Sequence, residues 1–173
     1  MMMRAIDAGG IPALFSPCRD RALVRNSTML PDYHPNPHGF FEIADLRKLK
    51  WSKAGGRCVK VIRDNLPDLV PPGNYRAVYV TRNPDEIRRS YVGTMSGPPS
   101  AHEFKFLDDY AAKVTADVER LEQLGAEVCV LRYREIVANP SQELSRIGWP
   151  IDVRRAAATV DHRLYRHREA AWQ

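Results

Sequence analysis

No hydrophobic run in this chain approaches the ~20 residues a bilayer-spanning helix requires, and the opening MMMRAIDAGG lacks the long apolar middle of a secretory leader. The expectation is a cytoplasmic protein with no membrane partner. Cysteine is equally scarce. Cys18, Cys58 and Cys129 form no C-x-x-C pair, and their odd number argues against a disulfide framework or a zinc site. Cys58 and Cys129 stand inside apolar runs, where a free thiol acts as a small core residue. His34 and His38 flank proline-rich turns with no third ligand close in sequence, so no metal is expected. There are no internal repeats and no low-complexity tracts. An aromatic content of 9% with no stacking ladder leaves little support for a nucleic-acid partner.

What is present is enough for one domain, residues 1–173, with 44% hydrophobic and 27% charged residues, close to the usual globular balance. Lys and Arg number 26 against 21 Asp and Glu, a net charge of +5 that suits an anionic ligand without identifying one. Short apolar stretches alternate with amphipathic ones, which predicts an α/β fold with a parallel sheet. Met1 to Ala8 reads as a helix stopped by Gly9-Gly10, and residues 13 to 41, rich in turn formers, as a long surface connection. Ile43 to Leu49 reads as a short helix. Buried strands are expected at Cys58 to Ile62, Ala77 to Thr81 and Glu127 to Leu131. The longest helix is placed over residues 103 to 124, where Tyr110, Val114, Val118, Leu121 and Leu124 form one stripe and Gly125 ends it. Two further helices are expected, from about Pro140 to Ile147 and from about Val153 to Val160.

The chemistry concentrates in Val80-Thr81-Arg82-Asn83-Pro84-Asp85-Glu86-Ile87-Arg88-Arg89-Ser90-Tyr91. A strand ends at Thr81 and a helix begins at once. Asn83 can cap it, Pro84 is favoured at its first position and Glu86 suits a capping box. Two carboxylates in the first turn repel an anion set over the helix end, so a phosphate here must be held by side chains. Arg82 offers a two-pronged donor for phosphate oxygens, and Ser90, two turns on, aims its hydroxyl back toward the helix start. Ligands of open α/β sheets gather at the carboxyl ends of strands, where Arg82 stands. An ordinary strand–helix junction with a surface arginine and serine is the alternative.

This segment resembles the 3′-phosphate-binding motif of the PAPS-dependent sulfotransferases, with an arginine, Asn-Pro and a serine eight positions after the arginine. Leu131-Arg132-Tyr133-Arg134-Glu135-Ile136-Val137-Ala138-Asn139-Pro140 resembles the family's Tyr-Glu-Asp … Asn-Pro segment, with Arg134 in place of the usual glutamate. Asn36 to Glu42 and Met1 to Pro12 are similar to segments of the bacterial sulfotransferase-like branch. The resemblance implies a three-layer P-loop-type sandwich that lacks its first strand and phosphate loop, since the likeness begins at Met1 with no room for a Gly-x-Pro-Arg-Ser-Gly-Thr-type loop. On that basis the 173-residue chain is expected to be a fragment, a mis-started reading frame or a decayed copy, and to bind nucleotide weakly.

The resemblance also implies roles. The co-substrate would be PAPS (3′-phosphoadenosine 5′-phosphosulfate), and the acceptor a small molecule or glycan bearing a hydroxyl or amine. Arg82 and Ser90 would hold the 3′-phosphate and Tyr133 would lie by the adenine. Lys60 occupies the place of the family's strand lysine, near the transferring group, but Ile62 stands where cytosolic members carry a basic histidine. Glu42 is the alternative base, or else simply a favourable charge at a helix start. The run His162 to Arg168 could close over an anion or be a solvated tail. A P-loop kinase would need an acidic magnesium ligand at a strand end, for which Asp64 is the contender. A non-catalytic basic binding module is the third possibility.

Overall fold

The computed structural model describes residues 1–28, 39, 41, 43, 47, 49–61, 70–92, 104–105 and 107–162, with backbone alone at 27, 28, 91 and 92. It is a mixed α/β structure in which small parallel sheets pack against helices. Among the described residues no helix is long and apolar enough to cross a membrane.

Helix α1 (Met2–Ala8) turns through Gly9 and Gly10 into strand β1 (Ala13–Leu14), which pairs in parallel with β2 (Cys58–Val59). The Asp7 carboxylate accepts from the Ala13 N–H at 2.8 Å, tying the helix end to the strand it feeds. β2 is shorter than the expected strand, and Ile62 lies outside the described residues.

The segment read as a surface connection contains a 12-residue helix, α2 (Pro17–Thr28). Pro17 occupies a helix's first position, where its missing N–H costs nothing, and the Ser16 carbonyl accepts from Asp20 N–H at 2.9 Å. Proline there opens a helix rather than marking a loop. Asp20 is buried against Gly39, whose φ of +84° suits glycine and whose lack of a side chain leaves room for the Asp20 carboxylate. Phe15 and Phe41 meet edge to face at 5.2 Å beside this contact. The helix expected over Ile43 to Leu49 falls largely outside the described residues.

The second sheet positions the site. Strand β3 (Tyr75–Thr81) pairs in parallel with β4 (Ala126–Arg132), in a register that sets Tyr75 opposite Ala126 and Thr81 opposite Arg132. Alternation sorts their side chains onto two faces. Val78, Val80, Cys129 and Leu131 belong to one core with α1 and the C-terminal helices. Tyr75, Ala77, Tyr79, Ala126 and Val128 belong to another with Leu121 and Val61.

Between the strands come α3 (Pro84–Val92) and α4 (Tyr110–Gln123). α4 begins seven residues later than expected. Asp109 sits at φ 53°, a left-handed conformation that aspartate tolerates better than most residues and that a helix cannot pass through. Leu121 and Leu124 of the expected stripe are buried. α4 ends at Gly125, whose φ is +90° and whose built Cβ would meet the Gly73 carbonyl at 2.6 Å.

After β4 the chain enters α5 (Tyr133–Ala138), α6 (Pro140–Ser145) and α7 (Val153–Ala157). α5 adds a helix where the sequence reads as a motif alone, and Ile136 and Val137 bury its inner side. α6 and α7 are each shorter than the expected helices. Asp152 caps α7 by accepting from Arg155 N–H at 3.0 Å.

Candidate functional site at the carboxyl ends of two strands

Parallel pairing brings the exits of β3 and β4 side by side, since Thr81 and Arg132 are register partners. The next residue on each strand is a site candidate. Arg82 follows Thr81, and Tyr133 follows Arg132. Their side chains meet, with the Arg82 guanidinium carbon 5.0 Å from the centre of the Tyr133 ring. A guanidinium over an aromatic face contributes roughly 0.5–2 kcal/mol, depending on how far the pair is withdrawn from water.

Asn83 performs the expected cap, its Oδ1 accepting from the Asp85 N–H at 2.8 Å. Glu86, expected to serve that cap, reaches Arg82. Its Oε2 lies 3.2 Å from Arg82 Nε, and the residue is only 1% exposed. The Arg82 side chain is 24% exposed. Tyr110, read from the sequence only as a core residue, accepts from the Arg82 backbone N–H at a long 3.4 Å. Glu86 and Tyr110 are the two members of this cluster that the sequence did not assign to the site. A carboxylate four residues after the arginine was a usable signal, because that spacing returns to the same side of a helix.

The acidic first turn of α3 is therefore partly offset. Asp85 pairs with Arg88 at 3.1 Å on the exposed side, and Glu86 with Arg82 on the buried side. The exposed pair contributes little, about 0–1 kcal/mol. The Arg82–Glu86 pair is net neutral, so Arg82 offers an anion a directed set of N–H donors more than a free charge. A guanidinium carries five such donors, and the Glu86 bond uses one.

Ser90 is half-buried on α3, one turn beyond Glu86 and on the same face, about 6 Å along the axis. Lys60 stands elsewhere in the described structure, just past β2 and half-buried. Its charge is felt at the Met1 amino group, whose pKa is lowered first by burial and then by Lys60 and Arg4. The geometry thus joins Arg82 to Tyr133 and places Ser90 on the face that holds Glu86, while Lys60 neighbours the start of α1. Glu42, His34, His38, Asp64 and Arg163 to Arg168 lie outside the described residues. His162 is exposed.

Among the described residues no group of three His, Cys, Asp or Glu is arranged to hold a metal ion. A surface hollow on α2, lined by Arg21, Ala22, Arg25 and Asn26, has no member of the strand-exit cluster in its wall.

Comparison with protein-family models, with curated proteins and with solved structures gave no match.

Proposed function

We propose that this chain is a sulfotransferase-like protein of the P-loop α/β class, built as a three-layer sandwich on a parallel sheet. Its ligand would be PAPS, from which a sulfuryl group passes to a hydroxyl or amine of a small-molecule or glycan acceptor. One observation carries this: Arg82 and Tyr133, assigned to the nucleotide from separate segments, leave adjacent parallel strands at the same end and are in contact. Covering of both faces of the β3–β4 pair supports the layered architecture.

In this proposal Arg82 and Ser90 hold the 3′-phosphate. The guanidinium donates a pair of N–H bonds to it and the hydroxyl a third. Tyr133 presents an aromatic surface to the adenine, and Lys60 steadies charge where the sulfuryl group leaves. Transfer would be an in-line displacement. The acceptor oxygen or nitrogen attacks sulfur, the bond from sulfur to the 5′-phosphate oxygen breaks, and the acceptor's proton passes to a base, for which Glu42 is the candidate.

The test compares two ligands that differ only at the 3′ position, adenosine 3′,5′-bisphosphate and adenosine 5′-monophosphate. Their affinity ratio cancels whatever the protein does at the 5′ side. We expect the bisphosphate to bind roughly tenfold or more tightly, as charge-assisted bonds to one phosphate allow. Arg82→Lys, which keeps the charge but loses the fork, should bring the ratio toward one. Equal affinities in the wild-type protein would refute the proposal.

A further inference from the structure

Glu86 is a carboxylate buried to 1% exposure, and no step of the proposed chemistry uses it. Withdrawing such a group from water is costly unless strong bonds compensate, so its placement at Arg82 calls for an explanation. The Arg82 guanidinium is constrained twice. Glu86 Oε2 holds Nε at 3.2 Å, and the Tyr133 ring lies 5.0 Å from the guanidinium carbon. One bond holds an edge and the ring flanks the group. A planar group held in this way has little freedom left in the direction of its remaining donors. Those are the paired Nη groups, which match the oxygen spacing of a phosphate.

We propose that Glu86 is a positioning residue, whose buried carboxylate holds Arg82 through Nε so that the Nη pair faces a ribose-linked phosphate dianion. This rests on the sulfotransferase-like proposal above. Glu86 touches no ligand itself. It converts a flexible arginine into a preset clamp and so raises the preference for a 3′-phosphate without adding net charge. Simple charge balancing makes the opposite forecast. If Glu86 only neutralised Arg82, removing its charge would strengthen binding of every anion alike.

The test uses Glu86→Gln, which keeps an oxygen able to accept from Nε, and Glu86→Met, which keeps the volume but has no such acceptor. Each is measured for the affinity ratio of adenosine 3′,5′-bisphosphate to adenosine 5′-monophosphate. The Arg82 Nε–H proton signal, identified by its absence in Arg82→Lys, is followed in parallel for exchange with solvent. We expect a slowly exchanging Nε–H in the wild-type and Gln proteins and a fast one in Met. We also expect the ratio to stay near wild type in Gln and to fall roughly tenfold or more in Met, as misplacing a binding group does. A wild-type ratio retained by Glu86→Met would overturn the role of Glu86 and leave the phosphate site standing. A wild-type ratio of one would overturn the phosphate site, and this role with it. Should Glu86→Met not fold, Glu86→Gln decides. A collapsed ratio there, or tighter binding of both nucleotides alike, contradicts positioning through the Nε bond.

Discussion

The Cys58 thiol donates to the Ile11 carbonyl at 3.7 Å, and burial, helped by the Asp7 carboxylate, pushes its pKa up to about 11. Cys129 is raised too, chiefly by burial, while Cys18 is exposed. The thiolate is the reactive form, so a maleimide near neutral pH should modify Cys18 first and Cys58 only as the chain unfolds. Mass mapping of the labelled cysteines checks this order. The same shift has a signed consequence for stability. The folded state keeps a proton that the unfolded thiol, with its ordinary value of 9.0, releases first. The contribution is complete below that value and is lost as pH rises toward about 11. Denaturant midpoints measured across that window should fall less steeply in Cys58→Ala than in the wild-type protein. At this scale the sequence was informative about Cys58, because an apolar neighbourhood is visible in a run of residues. It was only partly informative about Glu86, because the four-residue spacing from Arg82 offers a partner while the burial of the pair depends on the fold.

Elements were legible where local signals agreed with one another. At α3 a strand exit, Asn83, Pro84 and an acidic turn all mark the same boundary, and the helix begins at Pro84. Removing the Asn83 side chain should cost about 1 kcal/mol of unfolding free energy, and Asn83→Asp should recover most of it. A larger loss in the Asp variant than in Asn83→Ala would show that the bond to the Asp85 N–H is not what matters. Legibility failed where one residue type carries two meanings. Pro17 opens α2, yet among neighbouring prolines and turn formers it reads as part of a loop. The apolar stripe of α4 does not register the left-handed Asp109 that fixes its start, so the sequence alone overextends the helix. In α5, six residues hold too few turns for periodicity to stand out.

The whole molecule is held by α1 and the helices after β4 closing over one face of β3 and β4. α1 also touches β1 and β2, and so links the two parallel pairs, which no ladder joins among the described residues. Neighbouring residues on β4 show what this arrangement decides. Leu131 is 0% exposed beneath the helices, whereas Val130, pointing to the opposite face, is 37% exposed. Leu131→Ala should therefore cost about 2–5 kcal/mol, and Val130→Ala less than about 1 kcal/mol, in matched denaturant titrations. The central claim concerns the rim of this sheet, where the β3 exit and α3 are proposed to grip one phosphate together. A crystal structure with adenosine 3′,5′-bisphosphate bound tests it most directly. We expect the 3′-phosphate oxygens within hydrogen-bond reach of both the Arg82 Nη atoms and the Ser90 hydroxyl. A phosphate seated instead among Arg21 and Arg25 of α2, with Arg82 and Ser90 untouched, would contradict it.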